Sequence, residues 1–88
     1  MRIRFTQLAD GLGPSEVVVG VQTVEGKQEE VVISRKQAND GGIEVGSPIA
    51  QESNGYLVEL PRESVAGRWR IWVPRSEIID SVPVQAAE

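Results

Sequence analysis

The stretch EVVVGVQTVEGKQEEVVIS, residues 16–34, decides the fold. Valines occupy every second position of its first half, and side chains on a β-strand alternate between its two faces. Gly26 then supplies the positive φ that a tight hairpin turn needs. A three-residue loop ending at Gly26 sets two pairs of residues opposite each other: Val19 with Val31 and Val17 with Ile33. The apolar faces of both strands then coincide, which predicts a β-hairpin with one buried face.

The same two-residue period recurs on both sides of this hairpin and predicts further strands. They cover residues 2–6, 43–51, 56–60 and 68–73, separated by loops rich in glycine, proline and asparagine. Pro48 lacks the N–H donor of a central ladder, so it predicts a bulge or an edge position in the second of these strands. Single helical turns are predicted at residues 34–38, with Ser34 as N-cap, and at 75–80, whose isoleucines would cap an open barrel end.

Five to six short antiparallel strands with almost no helix predict an all-β protein built as a small barrel. An SH3-like barrel is the first choice, because a terminal one-turn helix fits that architecture. An OB-like barrel or a small sandwich is the alternative, and the OB-like barrel lacks its helix between the middle strands. Residues 1–80 are expected to form a single β-barrel domain, and residues 81–88, which are small and polar, a disordered tail.

The composition of the 88-residue chain excludes several classes of function. It contains no histidine and no cysteine, which removes Ser-His and Cys-His catalysis, thiolate metal sites and disulfides. We therefore predict a protein that is not an enzyme, with no catalytic residue, no metal and no cofactor. The start of the chain has no apolar signal segment and no run is long enough to span a bilayer, so we expect a cytoplasmic protein with no membrane contact.

The second informative stretch is RWRIWVPR, residues 68–75, which holds both tryptophans of an otherwise acidic chain. The two indoles are three residues apart and cannot share one face of a strand. The apolar positions Trp69, Ile71 and Val73 are predicted to face the core. The outer face then carries Arg68, Arg70 and Trp72.

This outer face is the predicted partner-binding surface. Trp72 would anchor the contact, and Arg68 and Arg70 would orient the partner, which is another protein or a second copy of this chain. The structural alternative is a lid, in which the C-terminal turn or tail covers Trp72. In that arrangement Arg70 stacks on the indole and pairs with Glu59.

A nucleic-acid-associated barrel is the functional alternative. If the first and last strands paired, Arg2 and Arg4 would join Arg68 and Arg70 in one positive patch around Trp72. The net charge of −4 and the sequence pI of about 4.8 oppose this alternative, because an acidic surface repels phosphates. Nucleic acid is therefore an unexpected partner.

Overall fold

The structure is a computed structural model that describes residues 1–11, 13–39 and 42–80. Within these residues the chain forms β-strands and one 3-10 helix, at Arg75–Glu77, with no α-helix, which confirms the predicted all-β class. In chain order the strands are β1 (Arg2–Arg4), β2 (Thr6–Asp10), β3 (Glu16–Gln22), β4 (Gln28–Ser34), β5 (Ala38–Asn39), β6 (Gly42–Glu44), β7 (Ala50–Glu52), β8 (Gly55–Glu59), β9 (Arg70–Pro74) and β10 (Ile78–Asp80).

The described strands form three antiparallel sheets and no closed barrel. Their strand orders are β10-β1-β6-β5, β2-β3-β4 and β7-β8-β9. The finer prediction of an SH3-like barrel thus remains a prediction. The tail expected at residues 81–88 lies outside the described residues.

The hairpin of β3 and β4 has the predicted register. Val19 lies opposite Val31 and Val17 opposite Ile33. The loop closes where the Thr23 N–H donates to the Lys27 carbonyl at 2.8 Å, and Gly26 has a φ of 80°. The three-residue loop with a left-handed glycine at its end matches the right-handed twist of the two strands.

The hydrophobic core combines residues from all three sheets. Valine and isoleucine dominate it, and each fully buried side chain of this size contributes ~1.5–3 kcal/mol relative to an exposed one. Its members are Ile3, Val17, Val19, Val21, Val31, Ile33, Ile43, Val45, Val58, Leu60, Ile71 and Val73.

Two strands differ from the predicted ones. The first strand continues beyond residue 6 as β2, an edge strand whose five residues are all exposed. Because none of its side chains is buried, no apolar alternation marks it in the sequence. The predicted strand 43–51 divides into β6 and β7, which belong to different sheets, and Gly46 between them has a φ of 71°.

The predicted helical turns are short turns in the structure. Ser34 and Gln37 bond reciprocally: the Ser34 N–H donates to Oε1 of Gln37, and the Gln37 N–H to Oγ of Ser34. This is a capping box that closes one turn before β5. After the 3-10 helix, residues 78–80 form β10 and pair with β1, so the prediction of a helical turn through residue 80 is wrong. Ile78 packs against the core, whereas Ile79 is 38% exposed.

Candidate partner-binding surface

The exposed tryptophan of the second stretch is Trp69. Its exposed fraction is 51%, so the prediction that it faces the core is wrong, whereas Ile71 and Val73 are buried as predicted. Strand β9 begins at Arg70, one residue after Trp69. Alternation fixes the face of a side chain only within a strand, and Trp69 precedes its first residue. Its main chain is nevertheless held, because its carbonyl accepts a 2.7 Å hydrogen bond from the Leu60 N–H.

Trp72 is half-buried and forms one wall of a small groove. The groove has a volume of about 90 Å³ and lies between β9 and the turn that joins β3 to β4. The Val24 N–H of that turn donates to the Trp72 carbonyl at 3.0 Å. Residues that line the groove include Thr23, Val24, Glu25, Arg68, Arg70 and Trp72.

The lid arrangement proposed as an alternative for Trp72 is absent from the described residues. Glu59 lies opposite Arg70 in the register of β8 and β9, yet the two side chains form no ion pair. Arg70 does not stack on Trp72 either; the cation–π contact found in the described chain joins Arg75 to Tyr56. The tail invoked to cover Trp72 lies outside the described residues.

Arg68 and Arg70 carry unpaired charges on this surface. Both side chains are exposed, and neither makes an ion pair or a side-chain hydrogen bond with any described residue. By contrast, Arg35, Arg62 and Arg75 each bond to oxygen atoms of other residues. The two guanidinium groups beside Trp69 are thus available to groups from outside the described chain.

The main chain at Arg68 is held by a buried polar contact that the sequence analysis missed. Ser64 Oγ accepts a 3.0 Å hydrogen bond from the Arg68 N–H and donates one of 2.5 Å to Glu29 Oε2. Glu29 and Ser64 are only 8% and 5% exposed. The sequence carried a signal for this contact: Glu29 has the same parity as Val31 on β4, which places its side chain on the core face.

Arg2 and Arg4 do not lie on this surface. Their strand β1 pairs with β10 and β6, whereas β9 pairs with β8, so the described strands do not have the pairing on which the shared positive patch was conditional. Arg4 lines a separate cavity of about 130 Å³. Arg2 lines one of about 430 Å³ together with Glu44.

The cavity at Arg2 is not purely basic. The Met1 amino group donates a 2.9 Å hydrogen bond to Glu44 Oε2, and this bond holds the pKa of the Glu44 carboxyl below its usual range. The ionised carboxylate offsets the positive charge of Arg2 at neutral pH. In the ranges that the structure describes, no group of three or more potential ligand residues is arranged to hold a metal ion.

Comparisons of the chain with protein-family models, curated proteins and solved structures found no match. None of the helical segments in residues 1–11, 13–39 and 42–80 has the length and hydropathy of a membrane-spanning helix. The geometry and charge of the surface around Trp69 and Trp72 are therefore the features of this protein that point to a function.

Proposed function

We propose that this protein is a non-catalytic interaction module that binds a protein partner through Arg68, Trp69 and Arg70, with Trp72 in the adjoining groove. The observation that carries the proposal is the exposure of a tryptophan between two unpaired arginines. Tryptophan and arginine are the side chains most enriched at the energetic centres of protein interfaces. The anchor is Trp69 in place of Trp72, because its indole is the more accessible.

The backbone under this surface is fixed before any partner arrives. Trp69 is bonded through its carbonyl to Leu60, and Arg68 through its N–H to Ser64. Binding then costs only the ordering of the exposed side chains, not of the loop that carries them. This preorganised backbone supports a role of the surface in recognition.

The charge of the surface favours a partner segment rich in carboxylates. Arg68 and Arg70 are positive and unpaired within the described chain, whereas the whole protein has a net charge of −4. A carboxylate placed between two guanidiniums forms charge-assisted hydrogen bonds of good geometry. A second copy of this acidic chain is one source of such a segment, which makes a homodimer the variant of the proposal that must be tested first.

The proposal includes the predictions on catalysis, architecture and compartment. The absence of histidine and cysteine supports binding without catalysis, cofactor or metal. The 3-10 helix before β10 and the pairing of β10 with β1 support an SH3-like barrel as the architecture. The cytoplasm stays the expected compartment. The nucleic-acid alternative loses its main support, because Arg2 and Arg4 lie on a strand that does not pair with β9.

Site-specific photocrosslinking tests the proposed surface. A photoreactive phenylalanine analogue replaces Trp69 in one variant and Leu8 in a matched control, since Leu8 is 41% exposed on the edge strand β2 of a different sheet. We expect irradiation in cells to give a discrete protein adduct from position 69 that position 8 does not give. An adduct of twice the protein's own mass identifies a homodimer. Equal labelling at both positions, or none at position 69, overturns the proposal.

A further inference from the structure

The outer edge of β9 presents main-chain groups that no described strand pairs with. Strand β9 is the last in the order β7-β8-β9, so one of its edges is open. Main-chain groups alternate between the two edges of a strand. The Trp69 carbonyl faces Leu60 on the β8 side, so those of Arg70 and Trp72 face the outer edge.

One carbonyl on this edge already accepts a hydrogen bond from within the chain. The Trp72 carbonyl accepts the Val24 N–H, as a neighbouring strand would donate it. Nothing in the described chain bonds to the Arg70 main chain on the same side. The groove of about 90 Å³ lies between the turn that carries Val24 and β9, and Arg70 lines it. An open edge with a donor and an acceptor is a template for an added extended chain.

The side chains along this edge define what an added strand must carry. Arg70 and Trp72 share one face of β9, and Arg68, which precedes the strand, lines the same groove. Alternate residues of an added strand lie on one face. Two carboxylates near the arginines, followed by an apolar side chain that ends the segment in the groove beside the indole, give the pattern acidic-x-acidic-x-apolar.

The groove also fixes where the acidic end of that pattern lies. Glu25 lines the groove and follows Val24, whose N–H is bonded to the Trp72 carbonyl. A carboxylate that entered the groove beside Trp72 would be repelled by Glu25, whereas an apolar side chain would not. The acidic residues therefore belong at the Arg68 and Arg70 end.

We propose that the partner supplies an extended acidic segment that adds to the outer edge of β9 as a further strand. Its backbone bonds to the main chain of Arg70, its carboxylates meet Arg68 and Arg70, and its apolar side chain enters the groove against Trp72. This inference rests on the proposed function, since it names the chemistry of the partner for the same surface.

Synthetic peptides test the added strand directly. The probes are acetyl-GDTDTVTG-amide and acetyl-GTVTDTDG-amide, which carry the pattern in either chain direction, titrated into ¹⁵N-labelled protein. We expect one of them to shift the amide signals of Arg70 and Trp72. Replacing both aspartates by asparagine should weaken binding at least about tenfold, which is the range expected for a charged pair at an interface centre.

N-methylation of the probe's backbone amides separates an added strand from simple charge attraction. It leaves the carboxylates in place and removes the donors of the ladder, so we expect it to abolish binding. Arg70→Glu should also abolish binding, whereas Lys36→Glu, the same charge change at an exposed residue away from this edge, should not. An N-methylated probe that binds equally well, or two unmodified probes that both fail to bind, overturns the inference.

The two proposals fail in distinguishable ways. A crosslinked partner at position 69 together with failed peptide probes leaves the interaction surface standing and removes the added strand. A dT8 oligonucleotide serves as a further probe under the same conditions. If it shifts the Arg70 and Trp72 amides and the peptides do not, this surface binds nucleic acid and both protein proposals are overturned.

Discussion

The Ser64 hydroxyl donates a 2.5 Å hydrogen bond to the buried carboxylate of Glu29, and thereby ties the loop before β9 to the strand β4. The neighbouring Val65 N–H donates to the Glu30 carbonyl at 2.8 Å, which adds a main-chain bond to the same junction. Because Ser64 Oγ also accepts the Arg68 N–H, the position of Arg68 depends on this buried pair. The polar junction thus connects the core hairpin to the proposed interface.

Replacing Ser64 with alanine should destabilise the protein by ~1–3 kcal/mol, because the Glu29 carboxylate then stays buried without its partner. The free energy of unfolding is measured by urea denaturation with tryptophan fluorescence as the signal. Ser76→Ala is the control, since Ser76 is exposed in the 3-10 helix and its hydroxyl makes no hydrogen bond with the described residues. A Ser64→Ala variant as stable as Ser76→Ala would show that the buried pair contributes nothing.

Gly26→Ala should destabilise the protein by ~1–2 kcal/mol through backbone strain alone. The φ of Gly26 is +80°, and an added Cβ would meet no atom within 4 Å, so no steric clash contributes. Gly13→Ala is the matched control, because its φ is not positive and its nearest contact would be at 3.9 Å. Thermal and urea unfolding of both variants measures the difference, and Gly26→Asn should recover part of the loss because asparagine tolerates this region. Equal stabilities for Gly26→Ala and Gly13→Ala would contradict the strain argument.

The sequence predicts correctly the strands whose pairing is determined by a single buried apolar face. Val17 and Val19 face Ile33 and Val31 as the alternation requires, because a slip of one residue would turn every valine to solvent. Strand β2 was not predicted, for the opposite reason. All its side chains are exposed, so its place in the sheet is set by main-chain bonds to β3, which leave no apolar pattern.

The candidate site was predicted only in part. The stretch that contains both tryptophans carries an exposed indole, and Ile71 is buried as the pattern required. Which tryptophan is exposed depends on where β9 begins, and strand ends are not encoded in alternation. The separation of Arg4 from Arg70 depends on which strands are neighbours, and that follows from the chain's path in three dimensions.

Arg75→Lys should destabilise the protein by ~1–2 kcal/mol, because lysine cannot reproduce the planar set of donors. The Arg75 guanidinium donates to the Tyr56 hydroxyl at 2.7 Å, to the Glu52 carbonyl at 2.9 Å and to the Ser53 carbonyl at 3.1 Å. Its Cζ also lies 4.7 Å from the centre of the Tyr56 ring. These contacts join the turn between β7 and β8 to the end of β9.

Arg68→Lys is the control for Arg75→Lys. Its side chain has no partner in the described chain, so the substitution should change the free energy of unfolding by less than ~0.5 kcal/mol. Urea denaturation of the two variants gives the comparison. If Arg68→Lys proves the more destabilising, the Arg68 side chain has a structural role. Its guanidinium is then not free to bind a partner.

Single-tryptophan variants should separate the exposed indole from the half-buried one. In Trp72→Phe the remaining fluorophore is Trp69, which is 51% exposed, so acrylamide should quench its emission strongly. In Trp69→Phe the remaining Trp72 lies against the turn that carries Val24, so the quenching constant should be smaller. Circular dichroism establishes that both variants are folded, and light scattering establishes that the protein is monomeric during the measurement. Strong shielding of Trp69 in a verified monomer would remove the accessible aromatic side chain on which the proposed interface depends. Shielding that disappears on dilution, together with a dimer mass, would instead identify the second copy of the chain as the partner.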